Sequence, residues 1–175
     1  MHSEFDIEPS QQLCQSCGIC CDGLLFQTAS VDPDGPGSSW PTELIKTITV
    51  DGNFPLPCQA YQDAKCSIYS ARPAVCQDYE CKLLQQFKAG EISLAAAQET
   101  VTQTLRFWQA FQDALSEVMT IEQRISLKAM FENFRLRFKD EFKMPEFIKS
   151  QKKVFLTHAR LSFALRNRFY DPEEN

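Results

Sequence analysis

The sequence predicts a mainly α-helical protein whose N-terminal half is irregular and rich in cysteine. All eight cysteines fall within the first 81 residues, whereas the second half shows apolar residues at three- and four-residue steps. A chain of 175 residues can bury a core without needing disulfides to fold. We therefore expect a cysteine-cluster region over residues 1–90 and a helical region of about three helices over 91–175, forming one compact domain.

Few regular elements are expected before the first helix. Residues 1–13 are predicted to be a poorly ordered lead-in. Residues 14–21 are predicted to be a turn-rich loop, in which Gly18 allows the backbone to turn tightly. A short strand could start at residues 24–26 and a second could cover 44–50, and the two could pair as a hairpin. The segment 32–41 between them is dense in Pro, Gly, Asp and Ser, which is typical of a loop.

Helical signals begin at Pro73. This proline can open a helix, and Gly90 can end it. Cys76 and Cys81 would lie about 140° apart on an ideal helix, so we expect them to flank an irregular turn or to converge at a helix start.

Three long helices follow. The first covers 93–118, and its apolar stripe includes Leu105, Phe107, Trp108, Phe111 and Leu115. The second begins at Thr120, where Gln123 could complete a capping box, and its stripe is Leu127, Phe131, Phe134, Phe138 and Phe142. The third runs over 145–170, with Ile148, Phe155, Leu161 and Leu165 facing inward.

Charge and hydropathy narrow the class of protein. The net charge of −5 gives no general argument for binding nucleic acid or an acidic membrane. The first residues lack a signal-peptide pattern and no apolar run reaches 18 residues, so we expect a cytoplasmic protein without a membrane span. Residues 145–170 carry six basic residues against Glu146 alone. We interpret them as a solvated helix face that pairs with the acidic N-terminal half, and an anionic partner is the alternative.

The spacing of the cysteines is the main indication of function in this sequence. The order is Cys14-x2-Cys17-x2-Cys20-Cys21, followed by Cys58, Cys66, Cys76 and Cys81. Thiolates two residues apart can surround one metal centre, and in a reducing compartment clustered cysteines are more often ligands than disulfides. Four structural disulfides in an exported protein are the alternative. Disulfide exchange at the C-x-x-C pairs is less favoured, since no strand-to-helix context precedes Cys14.

The identity of the metal is open between two chemistries. Three close cysteines followed by one distant cysteine are typical of ferredoxins that bind a [4Fe–4S] cluster. Here the distant ligand could be any of the last four cysteines. Zinc in a closed site takes four ligands, so eight thiolates could hold two zinc ions. We favour the iron–sulfur cluster.

A second signature accompanies the spacing: Pro57-Cys58, Cys66-Ser67-Ile68-Tyr69, Arg72-Pro73, Cys76, Tyr79 and Cys81. Over residues 14–81 the chain resembles the CxxCxxCC family, the YkgJ-type zinc- or iron-chelating domain. The family usually has arginine where this chain has Gln77. The resemblance implies that all eight cysteines bind metal. A similar cluster accompanies flagellin lysine methylases, but no methyl-donor loop is recognisable here.

Several residues outside the cysteine series allow either a functional or a purely structural interpretation. Arg72 could donate a hydrogen bond to a cluster sulfur, or could form a salt bridge with Asp63 or Asp78. Tyrosines 61, 69 and 79 could shield the metal from water, although ordinary packing is the favoured interpretation. His158 is expected to be an ordinary helix-face residue.

Two functional classes compete. In the first, a redox-active iron–sulfur centre makes the chain an electron carrier or an oxidoreductase component. In the second, zinc is structural and the chain is a non-enzymatic module that binds an unidentified protein. Metal storage or delivery is a third idea. No residue outside the cysteines has a defensible catalytic role.

Overall fold

The computed structural model describes residues 8–121 and 124–170. It is mainly helical with a cysteine-rich, irregular N-terminal half, as the sequence predicts. The elements in chain order are α1 (Pro9–Cys17), β1 (Thr28–Ser30), α2 (Thr42–Ile45), β2 (Asn53–Pro55), β3 (Tyr61–Gln62), β4 (Lys65–Cys66), a 3-10 turn (Tyr69–Ala71), α3 (Ala74–Asp78), α4 (Lys82–Lys88), α5 (Leu94–Ser116), α6 (Leu127–Arg137), α7 (Pro145–Ser150) and α8 (Lys152–Arg168).

The first 21 residues differ from the predicted lead-in and loop. The lead-in is helical from Pro9, and the predicted loop over 14–21 begins inside α1, which ends at Cys17. Residues 1–7 of the predicted lead-in lie outside the described residues. Pro9 occupies the first helical turn, where its missing N–H is not needed, and the left-handed Gly18 ends the helix.

A hairpin forms, but not from the predicted strands. The antiparallel pair is β1 with β2, in register Ala29 opposite Phe54, so both predicted strands were misplaced. Part of 44–50 is helical instead, in α2. Phe54 is buried between the half-buried Asn53 and the exposed Pro55, and three residues are too few for a strand pattern to be recognised in the sequence. A second hairpin pairs β3 with β4 and was not predicted.

The helix predicted between Pro73 and Gly90 is interrupted. Pro73 precedes α3, and Gly90 follows α4 in the left-handed conformation (φ 74°), so both ends agree with prediction. Between them, Tyr79 and Glu80 leave the helix and Cys81 becomes the N-cap residue of α4. Cys76 and Cys81 therefore flank an irregular turn, as their five-residue spacing predicts.

The C-terminal helices are confirmed with shifted boundaries. Ser93 caps α5 by accepting a hydrogen bond from the Ala96 amide at 3.2 Å. The second helix starts seven residues later than Thr120, because Ser126 provides the cap instead. Gln123, the predicted capping partner, lies outside the described residues.

The third predicted helix is two helices, since Gln151 separates α7 from α8. Leu161 and Leu165 of α8 are buried, as predicted. Ile148 is 44% exposed, which contradicts its predicted inward position, because the break at Gln151 changes the face that α7 presents.

Two hydrophobic cores organise the described residues. The helical core joins α1, α4, α5, α6 and α8, with Phe111, Phe134 and Leu161 completely buried. The hairpin core lies under the two hairpins and α2, and contains Leu44, Phe54 and Tyr61. The cysteines lie where these cores meet.

Phenylalanine side chains fill much of the helical core. Phe134 contacts the rings of Phe131, Phe138, Phe142, Phe147 and Phe155. Phe138 and Phe142 belong to this cluster although they follow the end of α6. His158 stacks on Phe131 with ring centroids 3.7 Å apart, and burial lowers the pKa of its imidazole. His158 is thus a packing residue on a helix face.

The basic segment pairs partly with α5. Lys153 forms a salt bridge with Glu117, Arg168 donates to the Gln103 side chain at 2.5 Å, and Arg160 lies over the ring of Phe107. These partners lie in the helical half of the chain and not in the acidic N-terminal half, so the predicted pairing with that half is not seen in these contacts. None of the described helices is both long enough and apolar enough to span a membrane.

Candidate metal centre

The first four cysteines lie at, or just after, the C-terminal end of α1. Cys14 and Cys17 lie three residues apart in the last turn of α1, so they project from neighbouring positions on the helix surface. Gly18 then reverses the chain, and a turn follows in which the Asp22 amide donates to the Gly18 carbonyl at 2.8 Å. Cys20 and Cys21 lie within this turn, which Ile19 anchors by complete burial.

Gly18 does more than end the helix. Its φ of 66° favours glycine, and a Cβ at this position would lie 1.9 Å from the Tyr61 hydroxyl oxygen. The ring of Tyr61 therefore packs directly on the Gly18 backbone. This contact holds the first cysteine group against the β3–β4 hairpin.

Cys58 and Cys66 belong to that hairpin region. The Cys58 amide donates to the Cys21 carbonyl at 2.8 Å, so the two cysteines are adjacent in space despite their separation in sequence. Cys58 is only 8% exposed. Cys66 pairs with Tyr61 across the hairpin, whose loop residues Asp63 and Ala64 have positive φ.

Cys76 and Cys81 occupy the two short helices. The Cys76 amide donates to the Pro73 carbonyl in the first turn of α3. Cys81 stands at the N-cap of α4, and the next amide, from Lys82, donates to the Phe169 carbonyl at 3.1 Å. The end of α8 therefore fixes the position of Cys81.

All eight predicted cysteines line a single cavity of about 380 Å³. The predicted neighbour Arg72 and the three tyrosines also line it. The remaining walls are largely apolar and include Phe54, Leu56, Ile68 and Phe169. The structure thus brings every candidate ligand to one shared space.

The thiols surround a volume instead of meeting at one point. Among residues 8–121 and 124–170, no three Cys, His, Asp or Glu side chains are grouped so that they could hold a single metal ion. None of the eight forms a disulfide; Cys14 is exposed and the other seven are partly or fully buried. The alternative of four structural disulfides is therefore absent from this structure.

Burial controls the protonation of these thiols. It raises the pKa of Cys17 to about 12 and that of Cys76 to about 11, and nearby cysteines add to both shifts. Burial also raises the pKa of Cys20, Cys21, Cys58, Cys66 and Cys81. These thiols are neutral near pH 7 in the metal-free chain, and a bound cation must displace their protons.

Arg72 lies at the cavity wall with its guanidinium 3.9 Å from the centroid of the Tyr69 ring. Its Nε is buried and has no hydrogen-bond partner among the described residues. The ion pairs found in that part of the chain do not include Arg72, so the predicted alternative, a salt bridge with Asp63 or Asp78, is not formed. A buried donor without an acceptor is costly, which makes Arg72 the polar group best placed to meet a negatively charged occupant.

The three tyrosines pack against neighbours at the cavity wall. Tyr61 covers Gly18, Tyr69 lies under Arg72, and Tyr79 meets the ring of Phe26 edge-on at 5.0 Å. Burial raises the pKa of Tyr61 to about 12. These contacts agree with the packing that we favoured, and the shielding of a metal from water stays a prediction.

Three residues that support the site were not predicted. Arg124 donates from Nη2 to the Cys58 carbonyl at 2.8 Å and to the Tyr61 carbonyl at 3.1 Å. Asp32 accepts from the Ala74 amide, and Trp40 donates from Nε1 to the Ala71 carbonyl, both at 2.8 Å. Their partners are 31 to 66 positions away, so no local pattern marks them.

Comparison with known proteins agrees with this arrangement. Residues 13–104 match the model of the CxxCxxCC family, described as a putative zinc- or iron-chelating domain. Neither the search of curated proteins nor the search of solved structures gave a match. The matched segment contains all eight cysteines and more than half of the chain, and the protein therefore belongs to the CxxCxxCC family.

Proposed function

We propose that this protein holds an iron–sulfur cluster through its cysteines and serves as an electron-transfer component. The observation that carries the proposal is the placement of eight thiols around one largely apolar cavity of about 380 Å³. The family assignment supports zinc or iron chelation in general. The choice of a cluster comes from the shape of the site.

The space between the thiols is the first supporting argument. A zinc ion draws four sulfurs to about 2.3 Å from one point, which leaves no void among them. Iron–sulfur clusters have a core of iron and sulfide that keeps the thiolates apart. Thiols that line a cavity without converging on one point fit the larger group better.

Charge is the second argument. A cluster with its thiolates is anionic, and hydrogen bonds to its sulfurs tune the reduction potential. Arg72 brings a cation and an unpaired Nε to the cavity wall. The charge of Arg72 opposes the burial that raises the pKa of Cys66 and Cys76, so it favours their thiolate forms. Arg72 would stabilise the bound centre from the surrounding wall.

Apolar surroundings are the third argument. When bound, a cluster supplies one-electron redox chemistry, and the chain sets its potential by limiting contact with water. Tyr61, Tyr69 and Phe169 line the cavity and would limit this contact. Electron transfer is therefore the activity that we propose.

Redox titration under anaerobic conditions tests the function. The protein should be reduced in one-electron steps by dithionite and reoxidised without loss of iron, with an electron paramagnetic resonance signal in one of the two states. A Cys17→Ser/Cys58→Ser variant should lose the signal, while Ser16→Ala, next to Cys17 on α1, should keep it. A colourless protein that binds zinc and shows no redox response would support the structural alternative and contradict the proposal.

A further inference from the structure

We propose that the eight cysteines form two distinct four-thiol sites. The helical-side site contains Cys14, Cys17, Cys20 and Cys81. The hairpin-side site contains Cys21, Cys58, Cys66 and Cys76. This division rests on the proposed function, because it assumes that the cysteines are the ligands of iron–sulfur clusters.

The two hydrophobic cores already separate six of the cysteines. Cys17 and Cys81 pack against the helical core. Cys58 is part of the hairpin core, and Cys21, Cys66 and Cys76 pack against it. The two cores share none of these cysteines, so packing divides the six into a pair and a group of four.

Backbone contacts define the hairpin side. The Cys58 amide donates to the Cys21 carbonyl at 2.8 Å, and Tyr61, three residues after Cys58, pairs with Cys66. The helix that carries Cys76 packs against β1, the partner of β2 in the first hairpin. All four cysteines are therefore fixed to one hairpin framework.

Helix packing defines the other side. Helix α1, which ends with Cys14 and Cys17, packs against α4. Cys81 is the N-cap residue of α4, so this packing brings its thiol towards the end of α1. The hydrogen bond from the Lys82 amide to the Phe169 carbonyl keeps that N-terminus in place.

The neighbouring Cys20 and Cys21 belong to different sites. Cys21 packs against the hairpin core, and its carbonyl accepts the hydrogen bond from the Cys58 amide. Cys20 is not among the residues that pack against that core. Because Cys21, Cys58, Cys66 and Cys76 make up the hairpin side, Cys20 completes the four thiols of the helical side.

Cys14 lies nearest to the boundary between the sites. Helix α1 contacts β4 of the hairpin as well as α4. The place of Cys14 in the helical-side site follows from the helical turn that it shares with Cys17.

The resulting pattern has a chemical rationale. In two-cluster ferredoxins, three closely spaced cysteines bind one cluster and the next cysteine along the chain binds the other. Here Cys14, Cys17 and Cys20 supply three ligands, the remote Cys81 supplies the fourth, and Cys21 turns to the second site. Of the four remote cysteines that spacing allows, the structure selects Cys81.

Paired serine variants test the division through metal content. Cys81→Ser and Cys66→Ser should each retain about half of the wild-type metal per folded chain, because each removes one ligand from one of two sites. The same-site pairs Cys17→Ser/Cys81→Ser and Cys66→Ser/Cys76→Ser should retain the same half. The cross-site pair Cys66→Ser/Cys81→Ser should retain none. Metal and acid-labile sulfide are measured on monodisperse fractions with wild-type helical circular dichroism.

Different outcomes overturn different claims. If wild-type protein binds metal but either single variant loses all of it, the cysteines form one centre and the division is wrong. If a same-site pair loses all metal while the cross-site pair keeps half, the sets are assigned wrongly. Wild-type protein that binds no metal overturns the proposed function itself. Should Cys81→Ser fail to fold, Cys14→Ser replaces it, since Cys14 is exposed.

Discussion

Arg124 and Cys58 are joined by a hydrogen bond of 2.8 Å although 66 positions separate them in sequence. The same guanidinium nitrogen also reaches the Tyr61 carbonyl. One side chain from the segment before α6 therefore fixes the backbone turn that carries a candidate ligand. The helical half of the chain contributes directly to the geometry of the cavity.

Replacing Arg124 should loosen that turn. An Arg124→Gln variant should lose about 1.5–3 kcal/mol of stability, the usual range for hydrogen bonds to a charged group. It should also release metal to a chelator faster than wild type. Urea unfolding and chelator kinetics measure the two effects. Arg106→Gln, an exposed arginine on α5, is the control, and equal behaviour of the two variants would contradict this role.

Gly18→Ala should destabilise the fold more than an ordinary glycine substitution. Its positive φ alone costs an alanine about 1–2 kcal/mol, and the added methyl would also meet the Tyr61 hydroxyl. Gly35→Ala is the matched control, because Gly35 has φ 86° and nothing within 4 Å of the added Cβ. Thermal unfolding measures the loss of stability in both variants. The loss in Gly35→Ala reports backbone strain alone, and the excess in Gly18→Ala reports the collision with Tyr61. Equal losses of stability would show that Tyr61 moves away freely.

The metal-free protein should become less stable in alkali. The folded pKa of Cys17 is about 12 and that of Cys76 about 11, above an unfolded thiol value of about 8.5. Stability from the protonated thiols is complete below pH 8.5 and falls as the pH rises towards those folded values, because the unfolded chain loses its protons first.

Urea unfolding of reduced, metal-free protein at pH 7.5 and pH 10 measures this effect. Cys17→Ser should show a smaller difference between the two pH values than wild type. An unchanged free energy of unfolding in the wild type would mean that the thiols are not held neutral by burial.

Arg72 should raise the reduction potential of the proposed cluster. A nearby cation stabilises the more negative, reduced state, so Arg72→Gln should lower the midpoint potential. Arg72→Lys keeps the charge but lacks the Nε donor, and it should fall between the two if both charge and hydrogen bonding contribute. Redox titration measures the shift. A potential unchanged in both variants would place Arg72 outside the influence of the centre.

The helical core should tolerate little truncation. Phe134 is fully buried among five aromatic rings, so Phe134→Ala should cost about 3–5 kcal/mol of stability. Phe163 on α8 is 71% exposed, and Phe163→Ala should change stability little. Chemical unfolding of both variants makes the comparison. A similar loss in both would show that Phe163 is covered in solution.

The sequence predicts the long elements well because their signals are repeated. Helix α5 has a serine cap and many apolar residues at helical spacing, and its predicted and observed bounds differ by one or two residues. The short strands were misplaced, since three residues such as Asn53–Pro55 carry no usable period. Phe138 illustrates a further limit: its spacing continues the stripe of α6, but the residue packs from a turn after the helix.

The candidate site shows the same contrast between features that the sequence marks and features that it does not. Its eight cysteines are marked by spacing, and all of them line the cavity. Their supporting residues are not marked, because Arg124, Asp32 and Trp40 act on backbone groups that only the folded chain brings near. The proposed grouping of Cys20 apart from its neighbour Cys21 likewise depends on the folded chain, in which Cys21 packs against the hairpin core.

Iron and acid-labile sulfide content, measured on protein purified without oxygen, tests the central claim most directly. The account predicts equimolar iron and sulfide, a brown colour, and loss of both in a Cys17→Ser/Cys58→Ser variant that changes one cysteine on each side of the cavity. Zinc without sulfide, or a wild-type chain that binds no metal, would contradict it.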